Sequence, residues 1–469
     1  MISALFRRVT RRAARRALLR FGVRVNRFKL TRKSYIRATL LADPAIAMAV
    51  HAHAAEHGLT EAVAWERVHT YIDEIVPHFN ILAYYKFGYA ASRGFLNLLY
   101  KVSVDYADLP ALERLPADSI VIYLANHRSN ADYVVLAFVL AGDVSISYAV
   151  GEWARAFPLE YVFKSFGSYF IRRKFREALY HTVLERYVQL ITRNGVTQGI
   201  FPEGGLTRDG CLRPAKIGLL DYILGVAREQ PALAERIAII PVALNYDRVL
   251  EDRSLLRELE AQRGGARVSR RTQFREVATY VTSNIGRLAT GRWQRYGRVA
   301  VTLGTPIPLA GWFAEQRQRH GDIWSLPKAE RLAEVQTLAD SIMATIGALI
   351  PVTPVPLACA AIQSFESDFI PRAALLARME EMRDVLVTLN AKVLRADRDI
   401  SETFDRAWRM LSMRRILVRV GDGYAVLSRQ RPLVSYYANS IAHLLGPFEA
   451  GVRQRDALPA LLGGSAPRR

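Results

Sequence analysis

The sequence predicts an α/β protein in which a central mixed sheet is flanked by helices, with a helical region before and after it in the chain. From about residue 116, short β-rich runs alternate with longer amphipathic segments, which is the pattern of an α/β domain. Residues 36–100 carry long stretches rich in Ala and Leu with few turn formers, and these predict helices. Beyond Pro356 the helical patterns return.

Six β-rich runs make up the predicted sheet, and they are Ser119–Ala125, Ser145–Val150, Ser168–Arg172, Gly199–Phe201, Ile237–Leu244 and Arg298–Leu303. A hairpin is predicted around Gly421-Asp422-Gly423, because Gly and Asp favour tight turns. The predicted organisation is a basic arm (1–35), an N-terminal helical region (36–100), the α/β domain (101–350), a mostly helical C-terminal region (351–462) and a tail (463–469).

Charge is concentrated at the start of the chain. The formal net charge is +21, and thirteen Lys or Arg but no Asp or Glu precede Asp43. Ile2, Phe6 and Val9 fall on one side of a helical wheel and arginines on the other, which predicts a surface-lying amphipathic helix on an anionic membrane. A disordered basic tail and a mitochondrial targeting peptide are the alternatives. We expect a peripheral or monotopic protein on the cytoplasmic side of the cell membrane.

The first candidate site follows the strand that ends at Ala125. His127 and Asp132 are separated by four residues in a polar turn that leads into an apolar helix. The turn is expected at the carboxyl edge of the sheet, where open α/β sheets place their sites. Asp132 would hold one imidazole nitrogen and leave the other to take a proton from a hydroxyl. These residues are therefore the predicted catalytic pair, with His127 as general base.

Two further polar breaks follow predicted strands. Phe201-Pro202-Glu203-Gly204-Gly205-Leu206-Thr207-Arg208 is rich in glycine, which lets backbone amides approach a ligand, and Arg208 adds a guanidinium suited to phosphate. Phe170-Ile171-Arg172-Arg173 ends a strand in two arginines. Each break alone is also consistent with an ordinary solvated turn. Three such breaks in one α/β domain favour a site.

These blocks resemble those of the glycerophospholipid acyltransferases, in particular the larger glycerol-3-phosphate and dihydroxyacetone-phosphate acyltransferases. Asn126-His127-Arg128-Ser129-Asn130-Ala131-Asp132-Tyr133 resembles the His-x4-Asp block, and Ile239-Ile240-Pro241-Val242 the apolar block that ends at a proline. The resemblance implies His127 as catalytic base with Asp132 as its partner. It also implies a glycerol-3-phosphate acyltransferase-like fold.

The resemblance further implies which residues hold the acceptor. Arg173 falls at the position that binds the acceptor phosphate and Arg172 assists it, while Glu203 and Gly204 lie at the acceptor with Arg208 near phosphate. Leu206 stands where the family commonly has Arg, and Thr207 where Ser is usual. Arg208 and Lys216 could compensate for the missing arginine.

The function expected from the resemblance is transfer of a fatty acyl group from an acyl thioester to the sn-1 hydroxyl of glycerol 3-phosphate, giving lysophosphatidate. This is the first step of glycerophospholipid synthesis. The donor would be acyl-CoA or an acylated acyl-carrier protein, and no metal or other cofactor is needed. Dihydroxyacetone phosphate or lysophosphatidate are the alternative acceptors. A basic nucleic-acid-binding protein is the alternative of another class, but we expect no nucleic acid because that reading leaves His127 and Asp132 unexplained.

Overall fold

The computed structural model describes residues 28, 31–77, 94, 96–140, 146–151, 163–164, 167–172, 175–264 and 295–446. The start of the predicted basic arm, the predicted phosphate ligand Arg173 and the predicted tail lie outside these residues.

The described part of the predicted N-terminal helical region contains α1 (Lys33–Leu41), α2 (Pro44–His57) and α3 (Glu61–Ile75). Asp43 caps α2 by accepting a hydrogen bond from the Ala45 amide at 2.9 Å, with Pro44 in the first turn, an arrangement that fixes the helix start. Gly58 ends α2 at a φ of +63°.

A mixed sheet forms the centre of the α/β domain, and this confirms the predicted fold class. Its strands are β1 (Lys101–Tyr106), β2 (Ile120–Ala125), β3 (Ser147–Gly151), β4 (Tyr169–Ile171), β5 (Gln198–Ile200), β6 (Ile237–Tyr246), β7 (Arg298–Leu303) and β8 (Ile307–Pro308). Their order is β1-β7-β6-β2-β5-β3-β4, and β8 pairs with β6. The pairs from β6 to β4 are parallel, whereas β7 runs antiparallel to β6.

Helices cover the sheet, and they are α4 (Leu109–Glu113), α5 (Asp132–Leu140), α6 (Ala178–Arg193), α7 (Gly218–Leu224), α8 (Val226–Glu229), α9 (Asp252–Arg263), α10 (Leu309–His320) and α11 (Lys328–Ala348). Strand β6 is buried along its whole length, because its aliphatic residues face packed layers on both sides. Strand β2 pairs with β6 on one side and β5 on the other. The centre of the sheet therefore holds β2 rigidly at the point where the His127 turn begins.

The C-terminal region contains α12 (Pro354–Gln363), α13 (Arg372–Thr388), α14 (Ile400–Met413) and α15 (Arg431–Ala438), with a small sheet of β9 (Phe369–Pro371), β10 (Leu417–Val420) and β11 (Gly423–Val426). Strands β10 and β11 form the predicted antiparallel hairpin. Residues 354–362 of α12 are all buried against α13, α14 and α15. No described helix combines the length and apolar character that crossing a membrane requires.

Candidate active site

Three of the predicted polar segments lie at one edge of the sheet. His127 follows β2, Glu203 follows β5 and Arg172 follows β4. Leu124 lies opposite Ile200 in the parallel pairing of β2 and β5, so the first two segments emerge side by side. The carboxyl ends of neighbouring parallel strands therefore form the site, as expected for an open α/β sheet.

His127 and Asp132 form a buried hydrogen-bonded pair. The Nδ1 of His127 lies 2.9 Å from the Oδ2 of Asp132, and both side chains are at most 1% exposed. Asp132 is the first residue of α5, so the helix start carries the carboxylate back over the turn. Because the carboxylate accepts this bond, Nδ1 carries the imidazole proton and Nε2 is the basic nitrogen.

The Asp132 carboxylate is fixed by three further donors. Its Oδ2 accepts the amide hydrogens of Arg128 at 2.7 Å and Ser129 at 3.0 Å, and its Oδ1 accepts the hydroxyl hydrogen of Tyr246 at 2.5 Å. Tyr246 is the last residue of β6 and is fully buried. The carboxylate therefore has little freedom to turn away from the imidazole.

Glu203 holds the backbone of the His127 turn. Its Oε1 accepts the His127 amide hydrogen at 2.7 Å and its Oε2 accepts the Arg213 amide hydrogen at 3.1 Å. Burial raises the pKa of Glu203 to about 7, although these amides and the charges of Arg128 and Arg213 act in the opposite direction. The described contacts of this carboxylate are with backbone, so they support a positioning role for Glu203.

Glu251 holds the middle of the same turn. It accepts the hydroxyl hydrogen of Ser129 at 2.7 Å and the amide hydrogen of Asn130 at 3.2 Å. Burial raises its pKa to about 7 and the charge of Asp132 adds to the increase, whereas the Ser129 bond lowers it. At the other end, Asn126 exchanges two hydrogen bonds with the backbone of Leu244 in β6. Residues 126–132 are thus anchored at both ends and at the centre.

Aromatic rings surround the imidazole. The ring of Phe201 stacks on His127 with centroids 4.1 Å apart and an interplanar angle of 22°. Tyr133 presents its edge to the same imidazole at 5.4 Å. Such a low-polarity setting strengthens the bond between His127 and Asp132.

The predicted substrate-binding residues of the third block lie around one turn. Gly204 has a φ of +66°, and the side chain of Lys216 packs over it, so that a β-carbon on Gly204 would lie 2.6 Å from Lys216 Cδ. The Nε of Arg208 donates to Glu258 at 3.0 Å. The hydroxyl of Thr207 donates to Asp209 and accepts from the Gly210 amide, so its described contacts stabilise the turn.

Arg172 is bound elsewhere than at the catalytic pair. Its guanidinium donates from Nε at 2.9 Å and from Nη2 at 2.6 Å to the carboxylate of Glu74 in α3, and it lies over the rings of Tyr71, Phe175 and Tyr180. The described role of Arg172 is to join the N-terminal helical region to the end of β4. Its predicted contact with phosphate stays a prediction, as does that of Arg173.

The C-terminal region packs directly on the catalytic loops. The buried guanidinium of Arg128 donates from Nη1 to the Gly210 carbonyl at 3.0 Å and lies over the ring of Tyr436 at 5.7 Å. A β-carbon on Gly210, whose φ is +89°, would lie 1.9 Å from the Tyr436 carbonyl oxygen. The side-chain amide of Asn439 donates to the Asp209 carbonyl at 2.9 Å. Helix α15 and the residues after it therefore cover the turn of the third block.

Sequence reasoning missed Tyr246 and Glu251 as parts of the site. Tyr246 and Glu251 follow the part of β6 that was predicted, so the rule that strand ends carry sites would have drawn attention to them. The close approach of Gly210 to Tyr436 gave no comparable signal, because the two residues are far apart in the sequence. In the described part of the chain, no group of three or more His, Cys, Asp or Glu is arranged to hold a metal ion.

Comparison with known families agrees with this site. Residues 109–245 match the acyltransferase family model, and residues 284–447 match the model of the glycerol-3-phosphate acyltransferase C-terminal region. The sheet, the His127–Asp132 pair and these matches define an acyltransferase fold with a dedicated C-terminal region. The chain belongs to the glycerophospholipid acyltransferase superfamily, as the four sequence blocks predicted.

Three curated relatives carry the name glycerol-3-phosphate acyltransferase. The protein of Aeromonas hydrophila subsp. hydrophila is 27% identical over 431 residues, covering 89% of this chain and 50% of the relative. The protein of Xanthomonas campestris pv. campestris is 26% identical, and the match covers 88% of this chain and 46% of the relative. The protein of Actinobacillus succinogenes is 28% identical, and the match covers 87% of this chain and 49% of the relative. The chain thus spans about half the length of the curated relatives it matches.

Among solved structures, the 1-acyl-sn-glycerophosphate acyltransferase of Thermotoga maritima matches 56% of this chain and 78% of its own, with 20% identity and a TM-score of 0.30.

Proposed function

We propose that the protein transfers a fatty acyl group from an acyl thioester to the sn-1 hydroxyl of glycerol 3-phosphate, giving lysophosphatidate. The observation that carries this proposal is the buried His127–Asp132 pair at the carboxyl edge of the sheet, 2.9 Å apart and beside the Glu203 turn. The names of the curated relatives support glycerol 3-phosphate as the acceptor. The sn-1 position and the kind of thioester are part of the proposal.

In the proposed reaction, Nε2 of His127 takes the proton of the acceptor hydroxyl as its oxygen attacks the thioester carbonyl. The new carbon–oxygen bond forms, the carbon–sulfur bond breaks, and the proton returns from His127 to the leaving thiolate. Asp132 stabilises the imidazolium that forms between these steps. A general base of this kind supplies roughly 10²- to 10⁴-fold in rate.

Cys211 has no part in this mechanism, although it follows the turn of the third block. Burial and the charge of Asp209 raise the pKa of its thiol. A thiol with a raised pKa carries little thiolate at neutral pH and is a poor nucleophile. This supports direct transfer to the acceptor without a covalent acyl-enzyme.

The acceptor phosphate is proposed to bind Arg173 and Arg208, with Lys216 beside Gly204 as a further cation. The exposed side chain of Lys216 lies against the Glu203–Gly204 turn, which supports this arrangement. Arg208 keeps donors other than Nε for a phosphate oxygen, because a guanidinium carries five N–H groups. The basic arm before Asp43 is proposed to hold the protein at an anionic membrane surface, where the acylated product accumulates.

The experiment that tests the function is an assay of the purified chain with acyl-CoA or acylated carrier protein against glycerol 3-phosphate, dihydroxyacetone phosphate and lysophosphatidate. We expect the highest kcat/KM with glycerol 3-phosphate, and a loss of at least about a hundredfold in His127→Ala. Preference for another acceptor would replace the proposed substrate. If His127→Ala kept more than about a tenth of the wild-type turnover, the assignment of His127 as the general base would be wrong.

A further inference from the structure

A groove that the proposed reaction has not used lies beside the catalytic edge of the sheet. Its volume is about 1,110 Å³, and it lies between the starts of β1 and β7 and one face of α14. Five cationic side chains line it, and they are Lys101, Arg295, Arg298, Arg406 and Arg409. This volume is slightly above the roughly 300 to 1,000 Å³ of typical small-molecule pockets.

Among the described residues the acidic side chains of the groove form no ion pair with these cations, although the charge of Asp247 acts on Arg298. Asp247 is buried and accepts the amide hydrogens of Arg298 and Val355. Glu402 pairs with Arg398 at 3.1 Å and Asp405 with Arg372 at 3.6 Å, and neither arginine lines the groove.

Across the described residues, none of the five lining cations forms an ion pair with a carboxylate. Arg298 is only 9% exposed and donates to the Ser103 hydroxyl at 3.2 Å. Burial and the nearby charge of Arg406 lower the pKa of Arg298, whereas the charge of Asp247 acts in the opposite direction. Like charges held together in this way raise the free energy of the unliganded groove, and an anionic ligand would relieve the repulsion.

The groove opens at the edge of the sheet where the catalytic pair lies. Strand β7 is antiparallel to β6, with Tyr246 opposite Val299, so Asp247 and Arg298 lie at the end of β6 that is next to the end of β2. Strand β7 is two positions from β2 in the sheet, which corresponds to a sideways distance of roughly 10 Å. A ligand in the groove is therefore separated from His127 by at least this distance, which only an extended arm could cover.

We infer that this groove binds the phosphorylated nucleotide end of an acyl-coenzyme A donor while its long pantetheine arm carries the thioester towards His127. The inference rests on the proposed function and names its donor. Coenzyme A carries several phosphate charges, which match the five cations that line the groove. An acyl-carrier protein presents one phosphate diester and needs a docking surface of roughly 800 Å² on each partner, which a recessed groove does not offer.

The test compares the wild-type chain with the double variant Arg406→Glu/Arg409→Glu and, on the opposite rim, with Lys101→Glu. Binding of free coenzyme A, of 3′,5′-adenosine diphosphate and of phosphate-free pantetheine is measured by calorimetry without acceptor or turnover. We expect both variants to weaken binding of the two phosphorylated ligands by at least about tenfold. Pantetheine should bind weakly and equally to all three proteins.

A matched control is Arg419→Glu/Arg429→Glu, which makes the same change in net charge at two exposed residues outside the groove. It should bind coenzyme A within about twofold of the wild type, and all variants should keep their melting temperature. In turnover assays the groove variants should raise KM for acyl-CoA and leave KM for glycerol 3-phosphate unchanged.

Three results would overturn the inference. They are coenzyme A affinity unchanged in the groove variants, an equal loss in the control, and loss of activity with acylated carrier protein while acyl-CoA is unaffected. Because ligand binding is measured without an acceptor, a protein that binds coenzyme A in the groove but does not acylate glycerol 3-phosphate would contradict only the proposed function.

Discussion

The phenolic oxygen of Tyr246 lies 2.5 Å from the Oδ1 of Asp132, while the other carboxylate oxygen faces His127. Tyr246 thus acts on the imidazole through Asp132, from the end of a strand that is buried along its whole length. This places it among positioning residues, which act on catalysis without touching the substrate.

Tyr246→Phe should lower kcat by roughly 10- to 100-fold, because a hydrogen bond to a charged group contributes about 1.5 to 3 kcal/mol. The ring stays in place, so KM for both substrates should change little. Steady-state kinetics with glycerol 3-phosphate and acyl thioester measure this. A kcat equal to that of the wild type would show that the backbone amides of Arg128 and Ser129 suffice to orient Asp132.

Stability should depend on pH through Glu203 and Glu251. Both have a pKa of about 7 in the folded chain, against an ordinary value near 4.3. Between these values the folded protein holds protons that the unfolded chain has released. The free energy of unfolding should therefore fall as pH rises from about 4.5 to 7, by up to about 3 kcal/mol per group, and these two groups add no further change above pH 7.

The contribution of Glu203 can be isolated by denaturant unfolding of the wild type and Glu203→Gln from pH 5 to 8. In Glu203→Gln the free energy of unfolding should lose the part of its pH dependence that Glu203 contributes, because Gln does not titrate. This holds whatever the absolute stability of the variant. Parallel curves for the two proteins would mean that Glu203 is ionised in the folded chain throughout this range.

Gly210→Ala should disrupt the contact between the catalytic loop and α15. The added β-carbon would lie 1.9 Å from the Tyr436 carbonyl oxygen, a backbone atom that cannot rotate away. Activity should fall by more than about tenfold, and the melting temperature should fall by several degrees.

Gly421→Ala is the matched control, because Gly421 also has a positive φ, of +55°, but has no atom within 4 Å of an added β-carbon. It should lose about 1 kcal/mol from backbone strain and keep its activity. Similar behaviour of the two variants would refute a role for the contact with Tyr436.

Arg173→Ala and Arg208→Ala should raise KM for glycerol 3-phosphate far more than KM for the acyl donor. Loss of a charge-assisted bond to phosphate costs about 1.5 to 3 kcal/mol, or roughly 10- to 100-fold. Arg172→Ala provides the comparison, since its guanidinium is bound to Glu74. That change should lower the melting temperature more than it affects KM. An equal increase in both KM values would argue against phosphate binding.

The basic arm should bind anionic vesicles partly through its apolar face. Changing Ile2, Phe6 and Val9 to Ser keeps every charge but removes apolar area worth ~25 cal/mol per Å² buried. Vesicle sedimentation should therefore show weaker association, while activity on a soluble short-chain donor is retained. Undiminished binding of the Ser variant would leave electrostatic adhesion as the sole contribution of the arm.

The sequence predicted strands well where they are buried and poorly where they are exposed or very short. Runs such as Ile237–Leu244 are aliphatic throughout and lie within β6. Strand β1 was missed because its residues are largely exposed and alternate with polar side chains, and β9 because three residues carry too little pattern. Local pattern is informative in proportion to burial.

The candidate site was predictable only as far as it is local in sequence. His127 and Asp132 lie on one turn, and Glu203 follows the neighbouring strand, so motif and topology together placed them. The ion pair of Arg172 with Glu74 spans 98 positions, and the bond from Tyr246 to Asp132 spans 114. Such partners follow from tertiary packing, which no spacing rule encodes.

The hydrogen bond from Asn439 to the Asp209 carbonyl joins residues 230 positions apart in the chain. This separation determines how much time passes between the synthesis of the two residues. At roughly 5 to 20 residues per second, a ribosome needs on the order of 10 to 50 seconds to make the intervening chain. During that interval the turn after Glu203 has emerged but the helix that covers it has not been made. The nascent chain therefore cannot form the contact between this turn and the residue that follows α15 until residue 439 has been translated.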